Sequence, residues 1–339
     1  MEIPAFNYGG WYDVFMGGTV AGYKRMRSFA KSRNARLGQR LMIGPWVHLR
    51  NAPGISGDYW FGTRAGALAQ DLPGELLRFF DYWLKGEENG QMDAPRVRVF
   101  TMGENAWHNH EDWPPPQARE VAYYLHSKGK ANTATGNGVL SVEPPGSEPP
   151  DAYVYHPLDP VPTVGGGLCC DIAFMRWGAY DQRSVETRAD VLVYSTPPLQ
   201  EDVEVTGPVV ATLYASSSAP DTDFTAKLVD VEPSGYVRNL TDGIVRARYR
   251  RPKMPANLIE PGRIYEYTID LWSTSNLFKK GHQIRVEVSS SNFPRFDRNA
   301  NTGGVIGSEG TWEFKPAMQT IFHDADYPSH VKLYVVPRK

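Results

Sequence analysis

The stretch that decides the fold is Tyr8–Gly18, "YGGWYDVFMGG", read together with Leu41–Arg50, "LMIGPWVHLR". Each is a short apolar run that ends in a loop carrying one residue able to do chemistry, Asp13 in the first and His48 in the second. "IPAFNYGG" ahead of Asp13 and "RLMIGPW" ahead of His48 have the unbroken apolar texture of strands buried on both faces. Between them, Met16, Val20, Tyr23 and Arg27 fall on one helical stripe, and Gly17, Gly18 and Gly22 lower the helix propensity in exchange for close packing on a sheet. "GELLRFFDYWLKG" (Gly74–Gly86) is the clearest helix, with Leu76, Phe80, Trp83 and Leu84 as its apolar face and Gly86 as its stop. Strand, helix, strand and helix in this order predict an α/β unit over residues 1–93.

The texture changes at "NGQMDAPRVRVFTMG". From residue 94 to 339, short β-rich runs such as "GPVVATLYAS", "RIYEYTIDLW" and "VKLYVV" are divided by Pro, Gly, Asn and Asp. About ten strands with almost no helical stripe predict an antiparallel β-sandwich of the jelly-roll type. The expected fold class is therefore α/β followed by all-β.

Composition narrows the function. The formal charge is −2, so no overall field favours nucleic acid or an anionic membrane. No apolar run reaches the roughly 18 residues of a membrane helix. The N-terminus lacks the basic and apolar regions of a signal peptide. The two cysteines, Cys169 and Cys170, are adjacent. Sequence neighbours bond only with severe strain, so no disulfide framework is expected, and a reducing, cytoplasmic setting fits.

Asp and His at the ends of successive parallel strands are the acid and base of a hydrolytic triad when a serine joins them. The imidazole takes the hydroxyl proton and returns it to the leaving group, while the carboxylate fixes its tautomer. A helix-capping Asp and a structural His are the plainer alternatives. "GGWYDVF", "IGPWVH", "FFDYWLKG", "VRVFTMGENAW", "DFTAKLVDV", "DGIVRARYR" and "SSNFPRFDRNANTG" together resemble the CocE/NonD family, which includes cocaine esterase, α-amino-acid ester hydrolases and X-Pro dipeptidyl-peptidases. The resemblance runs over nearly the whole chain. It implies a serine hydrolase of esters or amides, with part of an α/β-hydrolase domain before the jelly roll, Asp13 as triad acid and His48 as triad base.

In that family the GxSxG nucleophile elbow and the cap precede these motifs, so a dyad without its serine is expected here. Ser56 of "GISGD" has the wrong spacing for an elbow, and Ser289–Ser291 close a β-domain strand. The ammonium-binding acids that α-amino-acid ester hydrolases carry two and three places after the triad Asp are replaced by Phe15 and Met16. That implies an apolar acyl pocket with Phe15 as a wall, or else a Phe15 packed beneath the following helix. The expected partner is a small ester or amide with an apolar acyl group. A half-sheet has an open edge, so a complementary hydrolase half or self-association is expected to cover it. The other reading is a non-catalytic jelly-roll module for binding or oligomerisation, with a hydrolase remnant attached. A recruited nucleophile beside His48 is a third.

No cofactor or metal is expected. His108, His110, Glu111 and Asp112 of "WHNHEDW" read as a solvated loop, and Asp221, Asp223 and Asp230 as turn and solvent-face residues. Arg295, Asp297 and Arg298 are expected either in a loop packed against the α/β unit, pairing across that interface, or in a surface loop with no role.

Overall fold

Strand β1 (Phe6–Tyr12) and strand β2 (Arg40–Val47) lie side by side and parallel, in a register that pairs Gly10 with Gly44 and Tyr12 with Val47. The close approach is possible because residue 10 is glycine. A Cβ there would stand 2.1 Å from the carbonyl oxygen of Trp46. β2 is buried along its whole length, as its apolar run predicts. The computed structural model describes residues 2–49, 51, 54–170, 175–251 and 254–338.

Helix α1 (Met16–Phe29) follows β1 and buries Met16, Val20 and Tyr23, the stripe read from sequence. Only one of its three glycines is used for close packing, and the partner is a strand of the second sheet. A Cβ on Gly17 would meet the indole of Trp272, whereas Gly18 and Gly22 face open space. Helix α2 (Leu72–Phe80) starts at the N-cap Asp71, whose carboxylate accepts from the Gly74 amide. It runs into a π-turn (Asp81–Lys85) capped by Gly86 at φ 74°. Its buried residues are Leu72 and Phe79, with Leu76 and Trp83 half-buried. The expected face is corrected here, since Phe80 and Leu84 point outward and join Leu77 in an exposed apolar stripe.

Two further strands, β3 (Val97–Thr101) and β4 (Ala106–His110), were expected in the β-sandwich. They continue the first sheet instead, in the order β1-β2-β3-β4. Among the described residues β1 pairs only with β2, so its outer edge is open.

The remainder is an eleven-stranded ladder that folds over on itself. Strand Tyr265–Phe278 hydrogen-bonds along Val203–Ser217 but packs face-on against Asp223–Val231, where the rings of Phe224 and Tyr267 stand 4.7 Å apart. This is a β-sandwich. One continuous core runs from Trp11, Tyr12 and Tyr23 through Phe61, Phe100 and Met102 to Phe224, Tyr267 and Leu333. The two parts are also stitched by hydrogen bonds. The Met102 amide donates to the Ser275 carbonyl at 2.9 Å, the Leu277 amide to the Met102 carbonyl at 2.7 Å, and the Tyr12 hydroxyl to the Asn239 carbonyl at 2.8 Å. No helix among the described residues is long and apolar enough to cross a membrane.

Charges read as solvent-facing are in fact buried pairs. Asp221 binds Arg248 at 2.8 Å, Asp223 binds Arg246 at 2.8 Å, and Asp230 binds Arg238 at 2.9 Å. An alternating strand exposes one face only when nothing packs on it, and here both faces are covered. Arg238 lies under the Tyr59 ring, 4.5 Å from its centroid. The loop after Asn292 also departs from expectation. Arg295 pairs with Asp242, Arg246 reaches Asp297 at 3.7 Å, and Arg298 donates to the Pro157 carbonyl at 3.2 Å, all within the sandwich.

Candidate active site

Because Tyr12 pairs with Val47, the next residue on each strand, Asp13 and His48, emerges at the same end of the sheet. Asp13 is held there by a turn. Its amide donates to the Gly10 carbonyl at 3.0 Å and its carbonyl accepts from Met16 at 3.1 Å. On its other side it forms a parallel bridge to Leu168 of the sandwich. Its carboxylate accepts from the Phe15 amide at 2.7 Å and stands 3.2 and 3.3 Å from His48 Nδ1. With Nδ1 held by a carboxylate, the proton sits on that nitrogen and Nε2 is left as the basic, outward atom. Among the described residues His48 has no other hydrogen-bond partner. The next residue, Leu49, has φ 59°, a strained setting for a branched aliphatic residue and one that recurs at functional sites.

The dyad opens on a cleft of about 450 Å³ that runs along the free edge of β1, between Tyr8, Gly10, Phe15, Trp46 and His48. Phe15 is 64% exposed and its ring meets the His48 imidazole edge-on at 5.2 Å. It therefore lies in the cleft and not beneath α1. Met16 is turned into the core.

The sulfur pair also belongs to this site, and nothing in the spacing announced it. The bridge at Leu168 brings Cys169 and Cys170 beside the dyad, where one ligand atom from each cysteine and a ring nitrogen of His48 lie within 4.8 Å of one another. Contrary to the sequence expectation, the two cysteines are joined in a disulfide. The physical reason is the backbone. Cys170 sits at φ 85°, a conformation costing a non-glycine residue about 1–3 kcal/mol, in which neighbouring sulfurs can meet. A ring between neighbours closes no loop and braces no framework, so these cysteines do not indicate a compartment.

The serines weighed as nucleophiles are engaged or enclosed elsewhere. Ser56 is buried with its hydroxyl unpartnered, Ser289 donates to the Asp190 carbonyl at 2.7 Å, and Ser290 contacts Tyr153 at 2.9 Å. Ser291 accepts from the Val161 amide at 2.8 Å. A buried Ser–His–Asp group does exist in the sandwich. Ser127 and His323 both bind the same oxygen of Asp151, at 2.7 and 2.9 Å, and the serine contacts the same nitrogen, Nε2, that the carboxylate holds. A proton relay needs the two on opposite ring nitrogens, so this cluster is structural. Four donors from Ser127, Ala131, Tyr194 and His323 outweigh its burial and hold the Asp151 carboxyl below the usual carboxylate range.

"WHNHEDW" gathers no metal-binding set. His108 pairs with Glu104 at 3.1 Å, and Asp112 accepts from Tyr23 at 2.9 Å and Arg27 at 3.0 Å, fixing α1. Among the described residues only His48, Cys169 and Cys170 stand close enough to share an ion.

The chain is similar to the cocaine esterase of a Rhodococcus species, with 45% identity over 338 residues, which is 100% of this chain and 57% of that protein. The crystal structure of an aminopeptidase from a marine sediment Thaumarchaeota archaeon superposes with a TM-score of 0.80 at 29% identity, over 98% of this chain and 55% of that one. An α-amino acid ester hydrolase structure does so with the same TM-score, identity and coverage. The chain thus spans little more than half the length of these relatives. Residues 89–332 match the X-Pro dipeptidyl-peptidase C-terminal non-catalytic domain. From that domain, which fills most of the chain, and from the identity that continues through the Asp13 and His48 segments, the chain belongs to the CocE/NonD family of hydrolases.

Proposed function

We propose that this chain supplies the acid and the base of a serine-type acyl hydrolase and part of its acyl pocket. The observation that carries the reading is the Asp13 carboxylate on His48 Nδ1, with the imidazole lining a cleft beside β1. The matched non-catalytic domain begins at residue 89, so Asp13, Phe15 and His48 all lie outside it. No hydroxyl of the described residues contacts His48, and the chain spans 57% of the Rhodococcus esterase, so we assign the serine to the part of such a hydrolase that this chain does not match, docked on the β1 edge.

In the reaction, His48 Nε2 accepts the serine proton as the oxygen attacks the carbonyl of an ester or amide. Asp13 stabilises the imidazolium, which then protonates the leaving group. Water, deprotonated by the same nitrogen, releases the acid from the acyl-serine. Phe15 offers an apolar wall at the position where the acyl group is delivered, and the one acidic group among the described residues of the cleft, Asp13, is engaged by the Phe15 amide and His48 rather than free for an ammonium. The reading therefore favours a neutral, apolar acyl group.

The test is fluorophosphonate labelling and 4-nitrophenyl ester hydrolysis. Each is run with the chain alone and with the chain mixed with the segment of the Rhodococcus esterase that it does not match. Expected is a single adduct on the serine of that segment, and hydrolysis that falls by at least about 10³-fold with His48→Ala. Hydrolysis that survives His48→Ala would remove the dyad from the mechanism. An adduct on the chain alone would place the nucleophile inside it.

A further inference from the structure

Cys169, Cys170 and His48 bring three metal-ligating side chains to one wall of the cleft, two of them sulfur. We propose that, once its disulfide is reduced, this trio binds a thiophilic divalent cation, with Zn²⁺ as the reference ion. Three features carry the inference. First, the donor set of two thiolates and one imidazole matches the preference of such ions and balances their charge. Second, the imidazole is prepared for the task. Asp13 occupies Nδ1 at 3.2 Å and leaves Nε2 as the ligand, which is the carboxylate–histidine–metal arrangement that fixes ring orientation. Third, the geometry needs little change. Donors in a tetrahedral zinc site stand roughly 3.3–3.8 Å apart, given metal–ligand bonds of about 2.0–2.3 Å, and here the two sulfurs and a ring nitrogen of His48 already lie within 4.8 Å. Cys170 is exposed, so its side chain can turn and the ion has a path of entry. The fourth position is left to solvent.

The chemistry balances in two steps. A trialkylphosphine reduces the disulfide to two thiols and becomes the phosphine oxide, taking its oxygen from water. The cation then displaces one proton from each thiol to the buffer and accepts three ligand bonds. Oxidation by a second disulfide would reverse the first step and release the ion. Occupancy would hold His48 Nε2 in a metal bond. The consequence that this silences the base rests on the hydrolase reading, whereas the binding itself does not.

The experiment uses the 339-residue chain, reduced with phosphine and desalted without oxygen. Zn²⁺ is titrated in competition with a chromophoric chelator, and Co²⁺ is used to read sulfur-to-metal charge transfer. Expected is one ion per reduced chain, at least about tenfold weaker binding by the unreduced chain and by Cys169→Ser/Cys170→Ser, and a loss of about 10–100-fold in Asp13→Asn as the orienting contact weakens. His48→Ala should lose at least tenfold while keeping the sulfur charge-transfer band. Circular dichroism checks that each variant is folded. Equal affinity of reduced and unreduced chains would overturn the proposal. So would unchanged binding in His48→Ala, or one ion per two chains. None of these readings depends on ester hydrolysis, so the site and the hydrolase reading can fail separately.

Discussion

Three glycines of α1 allow a test in which the packing alone sets the sign of one substitution. A Cβ at Gly18 or Gly22 meets nothing within 4 Å, whereas one at Gly17 falls 2.8 Å from Nε1 and 2.9 Å from Cδ1 of Trp272. The indole is not free to retreat, because the Arg295 guanidinium lies 5.3 Å from its centroid and the Trp272 backbone is fixed at φ 65°. Gly to Ala within a helix is worth roughly 0.5–1 kcal/mol. Gly22→Ala, at mid-helix, should therefore stabilise by about 1 kcal/mol, and Gly18→Ala, in the first turn, by about 0.5 kcal/mol. Gly17→Ala carries the same small gain against an overpacking cost of about 1–3 kcal/mol, a net loss of about 0.5–2.5 kcal/mol. For 339 residues the unfolding entropy near 60 °C is about 0.7 kcal/mol per kelvin, so each kcal/mol moves Tm by about 1.4 °C. Urea and thermal unfolding followed by tryptophan fluorescence resolve these differences. A double-mutant cycle with Trp272→Ala should return a coupling of about 0.5–3 kcal/mol. If Gly17→Ala stabilised as much as Gly22→Ala, the indole would not be seated on α1. The turn that holds Asp13 and Phe15 would then lack its brace from the sandwich.

Other substitutions test the buried charges. Asp230→Ala leaves Arg238, at 1% exposure, without a carboxylate and should cost about 3–5 kcal/mol in urea unfolding; a loss under about 1 kcal/mol would show that the guanidinium finds water. Replacing both partners together with Leu and Met should recover most of that loss. Burial, reinforced by the charge of Glu287, pushes the Glu186 carboxyl up to about 7. Its proton is then held by the fold and not by the unfolded chain, so stability declines as pH rises from about 4.3 toward 7. Glu186→Gln should flatten that stretch of the profile, measured as unfolding midpoints at pH 5 and pH 8, and an unchanged slope would refute the assignment. Asp151 and Asp230 shift the other way, their donors outweighing burial. Their contribution is whole above about pH 4, near the unfolded value, and vanishes as pH falls through the lower folded values. Asp151→Asn should reduce the loss of stability in acid; a profile that keeps its steepness would show that Asp151 is not its source.

The contact between Asp13 and His48 was legible because parallel neighbouring strands deliver their last residues to one place, and two local motifs suffice to name those strands. The stripe of α1 was legible for a similar reason, since Met16, Val20 and Tyr23 have no competing register. The face of α2 was not. "LLRFF" offers apolar residues in two adjacent registers, and periodicity cannot choose between Phe79 and Phe80. The buried Asp–Arg pairs escaped because Arg238, Arg246 and Arg248 reach back from the neighbouring strand and the turn that follows it, and that pairing is set by register, not composition. Cys169 and Cys170 were visible as residues but not as part of the site, because the contact that brings them to His48 is a single bridge from Leu168 to Asp13.

The β3–β4 hairpin belongs to one sheet by its strand pairing and to the sandwich by the Met102 hydrogen bonds. A cut at the start of the matched non-catalytic domain would carry this hairpin away and leave β2 with a bare flank. The two parts are therefore inseparable as recombination units. In a chimera, the donor of the sandwich must also donate β3 and β4, and the acceptor must present a β2 edge whose Leu41, Met42 and Ile43 fit them in register. The hairpin is inherited with the sandwich as a fixed keystone, and only the segments that precede it are free to be exchanged.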